Sequence, residues 1–124
     1  AGAALEKFLS AAAEKRSDRV LALVEGFKGD RREGEYLVHL ALGKVRREAR
    51  RRLGVDAAPA GAGGGGLAEL DDGRLHQLAS SAVETARLLA GNVNVKLALG
   101  ELFGRWAREW PPGGISDRQD GSGA

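Results

Sequence analysis

Cysteine is absent from this 124-residue chain. No disulfide, thiolate metal site or cysteine nucleophile can be built from it, and the simplest compartment for such a chain is the cytoplasm. Methionine is missing too, the initiator included, and "AGAALEKFLS" opens inside a helical pattern. The expectation is a fragment of a longer protein whose missing part lies upstream. Long apolar runs are also lacking: nothing approaches the ~20 residues that cross a bilayer, and no charged-then-apolar leader opens the chain. No membrane partner is expected. Charge of one sign is scarce as well, because 19 Lys+Arg stand against 17 Asp+Glu for a net +2. Net charge alone therefore does not imply a nucleic-acid partner.

What is present is helical periodicity, with almost nothing alternating at the period of a strand. The spacing predicts five helices. The first, about 3–14, repeats Leu5, Phe8, Leu9 and Ala12 on one face. The second, about 18–28, has Ser17 as its cap, aligns Val20, Leu23, Val24 and Phe27, and ends at Gly29. The third, about 33–53, is apolar on every side in "YLVHLAL" from Tyr36 to Leu42; beyond Gly43 it keeps only Val45, Ala49 and Leu53 as an inner stripe. It is expected to enter the middle of a bundle, leave into solvent and stop at Gly54. The fourth, about 71–90, begins at Asp71 and Asp72 and lines up Leu75, Leu78, Ala79, Ala82, Ala86 and Leu89. Gly91 and Asn92 break it, and Asn94 caps the fifth, which runs to about Glu109.

The fold class is thus all-α, a five-helix bundle over residues 1–110. A Gly/Ala-rich loop at 54–67, "GVDAAPAGAGGGGL", separates helices 3 and 4, and a tail at 111–124 is expected to be disordered.

Catalytic patterns are not found. Gly61 to Gly66 is followed by "LAEL", without the Lys and Ser/Thr that hold phosphate and magnesium in a phosphate loop, and no strand precedes it. His39 and His76 have no second ligand at helical spacing, and Glu84, Glu101 and Glu109 sit on polar faces without a paired acid. No catalytic residue, metal, cofactor or small-molecule substrate is expected. The sharpest charge feature is the run Lys44, Arg46, Arg47, Arg50, Arg51 and Arg52. Arg46, Arg47, Arg50 and Arg51 are candidates for following a phosphate backbone. The alternative is a solvated helix end, whose arginines complement the helix dipole while Glu48 pairs along the helix.

The final helix carries the strongest stripe: Val95, Ala98, Leu99, Leu102, Phe103, Trp106 and Trp110 fall within one arc. Opposite lie Leu97, Gly100, Gly104 and Ala107, small except for the leucine. Each interior glycine costs roughly 1 kcal/mol against alanine, which makes sense where another backbone approaches closely. That backbone belongs either to an adjacent helix of the domain or to another subunit. Otherwise the glycines are compositional scatter, as in the loop.

The stretch "GNVNVKLALGELFGRW", preceded by a helix ending "ETARLLA", resembles the C-terminal collar domain of bacterial DNA polymerase III clamp-loader subunits, most like delta-prime, with gamma/tau next. Asn92 and Asn94 match the family's Asn-x-Asn turn, and Leu97, Leu99, Leu102 and Phe103 match its last helix. Gly100 stands in place of the family's glutamate, and Trp106 in place of a leucine. The resemblance covers roughly residues 3–110. It implies an upstream AAA+ module and a hetero-oligomeric ring of clamp-loader subunits that loads the sliding clamp onto primed DNA. This domain would hold the ring together, handle DNA only indirectly and catalyse nothing. A nucleic-acid-binding helical module using 44–52, or an unrelated helical interaction domain, are the alternatives.

Overall fold

A computed structural model describes residues 2–54, 66–91 and 93–111. These residues form five α-helices and no strand: α1 (Gly2–Ala13), α2 (Ser17–Glu25), α3 (Arg31–Arg52), α4 (Asp72–Ala90) and α5 (Val95–Glu109). The expected loop, apart from Gly54, Gly66 and Leu67, and the tail beyond Pro111 lie outside the described residues, as does Asn92.

α3 and α4 pack along each other most extensively, and α5 lies against α1, α2 and α4. The apolar stripes converge on α5. Phe8 of α1 stacks on Phe103 with ring centroids 4.6 Å apart, and Phe103 meets Trp106 edge-on at 5.3 Å. The Trp106 indole N–H is buried and donates to Ser81 Oγ at 2.8 Å, while that hydroxyl donates to the Leu78 carbonyl at 3.0 Å. Ser81, on the inner side of α4, thus satisfies the one polar atom that tryptophan brings into the core.

Three local expectations need correction. Ser17 does not cap α2; Arg16 occupies the cap position without a side-chain bond, and the helix stops at Glu25 rather than reaching residue 28. The turn that follows is tight: a Cβ on Gly29 would collide with Glu33 Oε1 and fall 2.7 Å from the Phe27 ring. α3 starts two residues early, because Asp30 accepts from the Glu33 amide while the Glu33 carboxylate accepts from the Asp30 amide, a full capping box. Third, Leu67 does not belong to a loop. It opens a short 3-10 turn, Leu67–Glu69, and both Leu67 and Leu70 are buried in the core.

α3 also differs from its expectation. Tyr36 is 55% exposed and Leu53 76%, so the helix is not enclosed by neighbours along "YLVHLAL" and its inner stripe does not reach residue 53. The position that continues the stripe is Glu48, only 1% exposed, one turn beyond Val45.

Candidate assembly surface and basic face

Basic side chains join the helix ends across the bundle. The last carbonyls of a helix have no partner within it and carry the negative end of the dipole, so a lysine or arginine from another element can satisfy them. Lys15 Nζ donates to the carbonyls of Ala107, Arg108 and Trp110 at 3.0, 2.9 and 2.6 Å, closing α5. Lys96 Nζ donates to the Glu25 carbonyl at 3.1 Å, closing α2. Arg31 donates to the Gly91 carbonyl, closing α4. Lys15 holds a left-handed φ of +57°, a conformation costing about 1 kcal/mol for a residue with a Cβ. Its amide and that of Arg16 bond back to Ala12 and Ala11, the pattern that glycine usually terminates. A glycine there would close α1 equally well but would leave the end of α5 open.

The first two of these bonds also show that α2 and α5 run antiparallel. Lys96, at the start of α5, meets the end of α2, and Lys15, just before α2, meets the end of α5. The side of α5 expected to be the packing surface lies along this seam. A Cβ on Gly100 would stand 3.9 Å from both Val24 methyls, Gly104 is buried with the Arg108 guanidinium over it, and Ala107 is 1% exposed. The neighbour at Gly100 is therefore α2 of the same chain, and Gly104 and Ala107 offer no surface to a second one. Of the four residues, Leu97 remains outward, 68% exposed. Leu21 of α2 is likewise exposed. Leu97 precedes Gly100 by three residues and Leu21 precedes Val24 by three; in an antiparallel pair that periodicity sets both leucines on the same side of the seam.

A glycine pressed tightly by another helix is instead Gly34, a position that periodicity alone does not mark. It is buried near the start of α3, and a Cβ there would sit 2.8 Å from Val95 Cγ1. At the neighbouring turn, Asn94 accepts from the Leu97 amide at 2.9 Å and so caps α5.

The basic run of α3 divides in two. Glu48 accepts from Arg51 at 3.1 and 2.7 Å and from Arg52 at 2.8 Å. Arg52 continues to Asp72 at 2.8 Å and to the carbonyls of Leu67 and Leu70, tying the 3-10 turn and the start of α4 to the end of α3. The Arg51 guanidinium holds the Glu48 carboxyl down at about 2, against the upward push of burial, and Arg52 adds to it. Arg51 and Arg52 thus have structural work, which removes Arg51 from the candidate nucleic-acid contacts. Lys44 pairs with Glu6 of α1 at 3.2 Å. Arg46, Arg47 and Arg50 are exposed. Glu48 was legible in outline: at i+7 from Ala41 and i+3 from Val45 it lies on the inner stripe, and Arg51 and Arg52 follow it at i+3 and i+4.

His39 and His76 are both exposed; among the described residues no group of three or more His, Cys, Asp or Glu is placed to hold a metal ion. Glu84 and Glu101 are exposed and Glu109 is half-buried. Shallow clefts open at the surface, two of them lined by apolar core residues. One, of about 390 Å³, lies beside Phe27, Phe8 and Leu37; the other, of about 330 Å³, lies between α3 and α4 beside Arg46, Ala49 and His76. No helix among the described residues is long and apolar enough to cross a membrane. Comparison with models of protein families, with curated proteins and with solved structures gives no match for this chain.

Proposed function

We propose that this chain is a subunit-assembly domain of the clamp-loader collar type, delta-prime-like, which holds neighbouring subunits of a clamp loader in a ring. The observation that carries an assembly role is the α2–α5 pair. Its inner side belongs to the chain's own core, whereas Leu21 and Leu97 stand outward on one side of the seam, where a second helical domain can cover them. The collar form is supported by layout. The described residues form five helices over the stretch that the resemblance covers, and Asn94, which matches the family's turn, caps the last of them. The role is mechanical. Crossed lysine and arginine caps and a closed aromatic core make a stiff block, suited to keeping attached modules in a fixed order.

The test is co-expression with the remaining clamp-loader subunits of the same organism, followed by size-exclusion chromatography with mass detection. The chain is expected to enter their complex, and Leu21→Glu combined with Leu97→Glu is expected to keep it out while its circular dichroism stays unchanged. A folded chain that stays outside the complex overturns the collar reading. Entry by the double variant overturns the assignment of the surface to Leu21 and Leu97.

A further inference from the structure

The outer side of α3 carries no part of the core. Arg32, Tyr36, His39, Gly43, Arg46 and Arg50 follow one another at i, i+4, i+7, i+11, i+14 and i+18, and every one of them is exposed. Eighteen residues make five full helical turns, so this row runs straight along the helix for about 27 Å. Arg47 lies beside it, also exposed. Among the described residues none of these four arginines has a carboxylate within 4.0 Å; of the acids beside the row, Glu33 is engaged in the capping box with Asp30 and Glu35 is half-buried at its edge. Asp72, which faces the adjoining cleft, is already engaged by Arg52.

Two features of the row are unfavourable to the isolated helix. Arg32 stands in the first turn, where a positive charge opposes the helix dipole. Its neighbour Arg31 has the end of α4 to cap, but Arg32 has no such bond among the described residues. Gly43 sits at mid-helix with nothing within 4 Å of where its Cβ would be. It lowers helix propensity without admitting any other of the described residues. Both make sense if something outside the chain approaches the helix here.

We propose that this face binds single-stranded nucleic acid. Four unpaired guanidiniums spread over five turns suit a chain of phosphates, since each can hold phosphate oxygens bidentately. Tyr36 and His39, one turn apart between the cations, offer flat rings on which bases stack, the combination that single-strand binding uses. Gly43 leaves room for the strand to come close to the helix. The face is on α3, apart from Leu21 and Leu97 of α2 and α5, so it does not rest on the collar reading.

The experiment is fluorescence anisotropy of a labelled twenty-nucleotide oligo-dT titrated with the full chain at 50 and 200 mM salt. Binding at the lower salt is expected, falling steeply at the higher. In the variant R46A/R47A/R50A the slope of log K against log salt should be shallower by about 2, at roughly 0.7 for each phosphate no longer neutralised. Tyr36→Ala should weaken binding about tenfold, the loss of one stacked base. Arg19→Ala with Lys28→Ala, exposed on and just beyond α2, should leave binding unchanged. Circular dichroism establishes that each variant is folded. No binding at 50 mM salt, or an unchanged slope in the triple variant, overturns the proposal. So does competition by polyglutamate as effective as by unlabelled oligo-dT, which would assign the face to an acidic protein.

Discussion

α5 and α3 face the same problem, what to do with the second side of a long helix, and solve it in opposite ways. α5 is taken on its core side and along its α2 seam by its own chain: Trp106 and Phe103 point into the core, Gly100 touches α2, and Ala107 is buried, while Leu97 stays outward. Its small residues admit a neighbour that the chain itself supplies. α3 buries one stripe down to Glu48 and leaves the opposite row, from Arg32 to Arg50, in water. Glycine plays a different part in each region. Gly34 is needed because Val95 leaves no room for a Cβ, whereas Gly43 faces open space. Small residues in a pattern therefore point to close packing only where the structure brings something against them.

The contrast is tested most strongly at Trp106. Truncation to alanine removes the largest fully buried side chain of the core and leaves Ser81 without its donor, so Trp106→Ala should lower stability by about 3–5 kcal/mol in chemical denaturation. A loss below about 1 kcal/mol, the size of an ordinary surface change, would mean that α5 is not the centre of the bundle.

Next in size is Glu48, the point where the buried stripe and the basic run of α3 meet. Glu48→Gln keeps the shape but removes the charge that Arg51 and Arg52 share, and should cost about 1–3 kcal/mol. The pH dependence has a defined sign. The folded carboxyl titrates at about 2, below the ordinary value near 4.3 of the unfolded chain. Its contribution is fully present above that ordinary value and is lost as pH falls toward 2. Denaturation midpoints measured from pH 6 down to pH 2 should fall less steeply in Glu48→Gln than in the parent; parallel curves would contradict the arrangement.

Glycine substitutions sharpen the contrast at smaller scale. Gly34→Ala gains helix propensity but drives a Cβ against Val95, so a net loss of about 1–2 kcal/mol is expected. Gly100→Ala and Gly43→Ala meet ordinary contact or none and should each stabilise the fold by up to about 1 kcal/mol. Thermal melts of the three variants give the order directly. Were Gly34→Ala also stabilising, α3 and α5 would not approach as closely as the geometry requires.

Sequence by itself determined the all-helical class, the five helices, the Asn94 cap and the aromatic stripe of α5. Each of these depends on residues within one or two turns of each other, where periodicity and capping act locally. The Asp30–Glu33 capping box was equally local and readable, since it needs only the spacing D-x-x-E. Other features were decided by tertiary structure, because their partners lie far along the chain. Lys15 reads as an exposed lysine until the end of α5 is found beside it, ninety-two residues away at the Ala107 carbonyl. Gly34 reads as a weak point in a helix until Val95 is placed against it. Leu67 reads as the end of a glycine-rich segment until Arg52 draws its carbonyl toward α3. Periodicity assigns a side chain to a side of its own helix; only the packed fold decides whether that side meets the same chain, as at Gly100, or water, as along Arg32 to Arg50.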